Sequence, residues 1–355
     1  MLKARRYHGL IAATAAVWTV GSPASGAPPM PSYHVTKTVA LGAPDRWDYV
    51  VFDPPSGRVY VAHGDRVSVV DGSNGSIVGQ VEGYPGGTHG IALVHALGLG
   101  FTDDGRAGQA GAFDLETFKT IIRIQADKDA DSLVFDPVSE HVFVVNGASG
   151  TITVIDPKHE NALASVQGGG KLETALAGGD GKLYVNGAQN SEILRLDTTS
   201  NQIDARWSIA GCTSPHGIAI DAAARRLFSS CANNVLVVVN LDSGATVATL
   251  PIGSGTDSAA FDPKRKLIFS SNGRDGTLSI IQERDPQTFV SLGSLKTAVT
   301  ARTMAIDPGS GRIYLAAGEV DPTAASDAHA IVPGSLKLLF VDPSLSRCGT
   351  GNCRH

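Results

Sequence analysis

Seven polar residues recur along this chain at nearly one interval: Asp48, His89, Asp131, Glu173, His216, Asp257 and Arg302. Their spacings are 41, 42, 42, 43, 41 and 45 residues. All but Arg302 are acids or imidazoles, so a fold that carries them to one place would create a site. Acids packed together need water, an ion or a ligand to offset their repulsion, and perturbed carboxylates and histidines gathered in a cleft mark binding sites. Asp48, His89, Asp131, Glu173, His216 and Asp257 together hold the nitrogen and oxygen donors for a divalent cation that would activate water. The same residue types also cap backbone groups at strand ends in a water-filled channel, and spacing alone does not separate the two roles. As residues of a hydrated mouth, His89 and His216 are expected to be removable without loss of the fold.

Each of these anchors opens a copy of one pattern. The stretches Asp48-Tyr49-Val50-Val51-Phe52-Asp53-Pro54, Asp131-Ser132-Leu133-Val134-Phe135-Asp136-Pro137 and Asp257-Ser258-Ala259-Ala260-Phe261-Asp262-Pro263 align residue for residue, and weaker copies begin at His89, Glu173, His216 and Arg302. A short apolar run, as in Ile218-Ala219-Ile220, is followed by a turn at Asp-Pro or its equivalent, where the aspartate caps and the proline fixes φ. A second strand follows (Val59-Tyr60-Val61, Val142-Phe143-Val144), then a third ending in Asp or Asn (Asp71, Asp156, Asn240), then an edge strand. Four strands in about 42 residues make a propeller blade, and seven blades make a ring. The chain therefore reads as an all-β, seven-bladed β-propeller over residues 28–342.

The seventh copy stops at Asp342 after its third strand, whereas residues 34–41 precede the first copy and read as an outer strand. That N-terminal strand is expected to complete the last blade and close the ring. Blade geometry puts the start of each first strand and the end of each second strand on one face, so the seven anchors line an axial funnel. His63, Asp103, Asn146, Asn186 and Asn272 end the second strands; the three asparagines precede glycine and read as turn formers rather than ligands. An insertion at residues 318–334, with Glu319, Asp321, Asp327 and His329, lies on the same face. It is read as a lid over the funnel or as an acidic loop.

Lys3, Arg5 and Arg6 precede an apolar run at residues 10–20 and then Pro23-Ala24-Ser25-Gly26-Ala27. This is the order of a secretory signal over residues 1–27, with an apolar run too short to span a bilayer; Arg5-Arg6 also admits a twin-arginine reading. Losing those three basic residues takes the net charge from −5 to −8. The expected product is an acidic protein, periplasmic or secreted, with no membrane span and monomeric. Nucleic acid is not an expected partner, because that would want a basic, aromatic-lined stripe.

Four cysteines fit export. Cys348 and Cys353 bracket a short glycine-containing loop in the tail, residues 343–355, while Cys212 and Cys231 sit at one end of two strands of the fifth copy, with position 231 opposite roughly 216. Both pairs are expected to be disulfides. The competing reading is a thiolate metal site of Cys212, Cys231 and His216. Without Cys-x-x-Cys-His there is no covalent haem, and neither a Gly-x-Ser-x-Gly elbow nor a P-loop is present.

With the repeats laid out, the chain resembles the exported bacterial YVTN-repeat propellers of the YncE-like kind. The likeness runs from about His34 to Asp342 and is carried by Val144-Val145-Asn146-Gly147, Leu183-Tyr184-Val185-Asn186, Arg46-Trp47-Asp48-Tyr49, Thr88-His89-Gly90 and Ala301-Arg302-Thr303-Met304. The resemblance implies a seven-bladed exported propeller and supplies no settled activity. Related propellers carry haem d1 or sit beside quinone cofactors or copper, and signatures for those are not evident here. Three functions are then open: a binding or scaffolding module whose small-molecule ligand or periplasmic protein partner sits at the funnel; a metal-dependent, lactonase-type hydrolase using the funnel histidines and carboxylates; and a non-catalytic subunit of a periplasmic redox complex. No cofactor beyond a divalent metal ion suggests itself.

Overall fold

A computed structural model describes residues 32–323 and 330–344. These form seven antiparallel four-stranded sheets, in six of which the strands run in chain order from the axis outward. The innermost strands are Val50–Asp53, Ile91–Val94, Ala130–Asp136, Leu172–Ala177, Pro215–Asp221, Thr256–Asp262 and Thr303–Ile306, one for each of blades 1 to 7. Blade 7 departs from chain order: its outermost strand is Ser32–Ala40, paired antiparallel with Lys337–Ser344. The ring is therefore closed by the N-terminal strand, as the strand count requires. The only helix among the described residues is a single 3-10 turn, His95–Leu97, and no helix there is long and apolar enough to cross a membrane.

Local sequence explains the turns. Asp136 accepts the Ser139 N–H at 2.9 Å, and Asp262 accepts those of Lys264 and Arg265 at 3.0 Å, so each carboxylate closes the turn between the first two strands of its blade. At the end of the third strands, Asp71, Asp156 and Asn240 do the same for Ser73, Lys158 and Asp242, at 2.8 to 2.9 Å. The apolar residues of middle strands then pack blade on blade. Phe143 and Val145 of blade 3, for example, share a cluster with Leu183, Val185 and Leu194 of blade 4.

Cys212 and Cys231 form a disulfide with Cα atoms 5.5 Å apart. Closing a loop of this length contributes about 3 kcal/mol through restriction of the unfolded chain. Cys231 lies opposite Pro215 rather than 216, because a bulge at His216 and Gly217 shifts the register of the first strand. The pair also settles the alternative for these two thiols against metal ligation. Cys348 and Cys353, and residues 1–31, lie outside the described residues.

One buried acid carries a cost. Both carboxyl oxygens of Glu283, in blade 6, are buried without a hydrogen-bond partner, with Lys266 Nζ 3.8 Å away. Burial first, and then the neighbouring Asp221, push its pKa up to about 7. Because the folded value exceeds the unfolded one, the contribution to stability is complete below about pH 4.5 and is lost as pH rises through about 7. Glu283→Gln should therefore be more stable than the parent by about 1–2 kcal/mol at pH 8 and nearly equal at pH 5, read by urea denaturation at both values.

Candidate functional site

Four of the seven ring residues share a backbone device. Asp131, Glu173, His216 and Asp257 each sit where the pairing of the first and second strands slips, between Ala130 and Ser132, Leu172 and Ala175, Pro215 and Ile218, and Thr256 and Ser258. A bulge re-aims the side chain that it carries, and His216 and Asp257 line the axial mouth. Asp48, His89 and Arg302 lie just ahead of their strands. Neighbouring blades brace the irregular backbone: Asn186 donates to the carbonyls of His216 and Gly217 (2.7 and 3.1 Å), Thr303 to that of Asp48 (2.7 Å), and Ser271 to that of Arg302.

Five of the seven, Asp48, His89, His216, Asp257 and Arg302, line a cavity of about 880 Å³ at the mouth. Asp131 and Glu173 do not line the cavity but act electrostatically on His89 and His216 respectively. Arg302 Nε holds Asp257 at 2.9 Å and its Nη2 lies 4.0 Å from Asp48, while the guanidinium also stacks over Trp47, 5.3 Å from the ring centre. His216 Nδ1 is 3.2 Å from Asp257 and 3.9 Å from Glu173, and Lys171 pairs with Glu173 at 2.5 Å. His89 Nδ1 is 2.6 Å from Asp103, whose other oxygen accepts the N–H groups of His89 and Gly90, both at 2.8 Å.

Charge state follows from these contacts. Burial and the nearby Asp257 raise the Asp48 pKa to about 7, against the pull of Arg302 and His89. Asp131, with no hydrogen bond or ion pair among the described residues, is driven well above the usual carboxylate range by burial and by Asp48. Burial pulls His89 down, but the hydrogen bond and charge of Asp103, helped by Asp48 and Asp131, override it and lift the imidazole to about 9. Burial works on Asp103 in the opposite sense, raising it, while His89 and the two N–H groups favour its ionised form; the single proton of the pair resides on His89. The hydrogen bond to Asp257 likewise raises His216.

Tyr49 reaches across the ring. Its hydroxyl crosses from blade 1 to bond Thr174 Oγ1 in blade 4 at 2.8 Å. Below it opens a second, mostly apolar cavity of about 420 Å³, lined by Tyr49, Phe52, Leu93, Phe135 and Leu176 among others, which shares no lining residue with the mouth. The sequence signal for this plug is the residue after each anchor: Tyr49 against Gly90, Ser132, Thr174, Gly217, Ser258 and Thr303. Six are small, and the single tyrosine fills the axis for all seven.

Asn146 and Asn272 are buried and spend their amides on Thr151 and Thr153, and on Thr277 and Ser279, so they tie the second strand to the third and do not face a ligand. His63 is buried too, between Ser68 Oγ and the carbonyls of Gly42 and Pro44. The stem of the 318–334 insertion does reach the mouth: Val320 and Ile331 pair as an antiparallel bridge and line the cavity. Glu319 instead pairs with Lys337 at 2.8 Å, and Asp327 and His329 lie outside the described residues. Among the described residues no three His, Cys, Asp or Glu side chains are grouped as a cation cage. Arg302, Lys171 and the two imidazoles pair instead with Asp48, Asp103, Glu173 and Asp257.

Fold and site together define a seven-bladed β-propeller with an ionisable axial mouth. Its architecture is widely shared, with 1817 solved chains matching. One, from the mitotic checkpoint complex, is 17% identical with a TM-score of 0.69, covering 86% of this chain and 93% of that one. Another, from Kuenenia stuttgartiensis hydrazine synthase, is 12% identical with a TM-score of 0.65, covering 75% and 91%. Identities this low establish the fold alone. No protein-family description and no curated sequence matches the chain.

Proposed function

We propose that this chain is an exported binding protein of the YVTN-repeat type that holds a small-molecule ligand in its axial mouth. The observation that carries the reading is the convergence of five in-phase ionisable residues on one 880 Å³ cavity, with His216 and Asp257 placed there by bulges. A cavity of this size, with apolar walls and a few converging polar groups, matches a small-molecule site. The five ring residues that line the cavity are already paired inside the protein, which gives a preorganised polar surface for recognition. The Cys212–Cys231 disulfide supports an oxidising compartment.

Thermal melts of the mature chain against a small-molecule library test this. Ala232→Trp sets an indole into the mouth from an exposed rim position. At least one compound should raise the parent melting temperature by several degrees, and the shift should vanish in the variant while its own melt is unchanged. Shifts that persist with the mouth filled, or a library that shifts nothing, would remove the mouth as the site.

A further inference from the structure

We propose that the mouth takes the carboxylate of a small organic acid, seated over Gly87 between His89 Nε2 and the Arg46 guanidinium, with the apolar body of the ligand against Val299, Val320 and Ile331. This rests on the mouth being a ligand site, and it assigns the ligand class.

An inventory of the lining charges gives the sign of the ligand. Asp257 is held by Arg302 and His216, and Asp48 lies beside Arg302. Asp45 accepts the N–H groups of Gly334 and Leu336 at 2.7 and 3.3 Å. Every carboxylate that lines the cavity therefore has a donor or cation of the protein's own. Arg46 and Arg274 line the same cavity, are exposed, and have no side-chain partner among the described residues. The charges left over for a ligand are guanidinium charges.

Geometry then selects one spot. Gly87 adopts φ +108°, where only glycine is unstrained, and a Cβ placed on it would lie 3.8 Å from Arg46 Nη2 and 3.8 Å from His89 Nε2. Two cationic heads thus face one point that a glycine leaves open. His89 cannot turn away, because Nδ1 is fixed on the fully buried Asp103, and this leaves Nε2 directed to the mouth. The raised pKa of His89, about 9, keeps a proton on both nitrogens at neutral pH, so Nε2 donates. A carboxylate accepts from both groups in charge-assisted hydrogen bonds, which a neutral amide does only weakly. The same cavity has apolar lining in Val299, which is half exposed, and in Val320 and Ile331 of the insertion stem. A bare inorganic anion would leave that lining unused.

Calorimetry of the mature chain at pH 7 and low salt, with hexanoate, hexanamide and hexylamine as probes, tests the assignment. Hexanoate should bind, and hexanamide at least tenfold more weakly. Arg46→Gln should weaken hexanoate at least tenfold, and Arg274→Gln, which removes the same charge from elsewhere in the mouth, less than about threefold. Arg46 is exposed, so its loss does not put the fold at issue. Equal losses in the two variants would reduce the effect to overall charge and overturn the Gly87 subsite. Absence of hexanoate binding, or tighter binding of hexylamine, would overturn the ligand class; library compounds displaced by Ala232→Trp would still leave the mouth as the site.

Discussion

Deleting the chain through Ala40 should lower the melting temperature by at least ten degrees or abolish the cooperative transition. Ser32–Ala40 pairs along its length with Lys337–Ser344, so its loss strips the outer edge from blade 7. Tyr33, buried, packs edge-on against Phe269 of blade 6 with ring centres 5.2 Å apart, and Val39 packs against the cluster that holds Phe340 and Leu338. Each buried aromatic or valine is worth about 1.5–3 kcal/mol, and each ladder hydrogen bond about 0.5–1.5 kcal/mol before the entropy of ordering the strand is subtracted. The net loss is several kcal/mol from a fold whose total is on the order of 5–15 kcal/mol. The new edge is also a template for self-association. Supplying residues 32–41 as a peptide should restore the melt in proportion to its concentration, which separates a missing strand from general damage. A truncated protein that melts like the parent would mean the ring does not depend on its latch.

The fold was legible because a propeller repeats its signal. Any one copy, such as Glu173-Thr174-Ala175-Leu176, is too weak to place, but seven in phase fix blade number, strand order and the face on which the anchors lie. What period counting missed was the bulge. Strict alternation places Cys231 opposite 216, whereas the extra residue at His216 and Gly217 moves the pairing to Pro215 and turns the imidazole to the axis. Neutralisation of the acids was equally hidden, since Arg302 reaching Asp257 and Asp48 depends on distances between blades far apart in sequence. Removing His89 is expected to cost more than removing a hydrated mouth residue. Its partner Asp103 is fully buried, so truncating the imidazole would strand a carboxylate in the interior. Asp103 had a place in the count as a second-strand terminus, but nothing in its neighbours Thr102 and Asp104 signalled that it braces the ring.

Asp103→Asn should move the His89 pKa from about 9 to below its ordinary 6.5 and cost roughly 3 kcal/mol near pH 6. Burial acts on the imidazole in both proteins and opposes charge; in the parent it is outweighed mainly by Asp103, so removing that charge leaves burial with little opposition. The amide oxygen of the substituted side chain can still accept the N–H groups of His89 and Gly90, which keeps the loop in place and confines the change to the histidine. The sign of the stability effect follows from the direction of the shift. A folded pKa above the unfolded value contributes stability that is full below about pH 6.5 and is lost as pH rises through about 9. The gap between parent and variant should therefore be widest near pH 6 and close toward pH 9.5, the opposite trend from that expected on replacing Glu283. Titration of the His89 ring protons by NMR, with urea denaturation at the same pH values, reads both quantities. If His89 titrates near 6.5 in parent and variant alike, the ring nitrogen facing the mouth is not a held cation, and the carboxylate subsite over Gly87 loses one of its two donors.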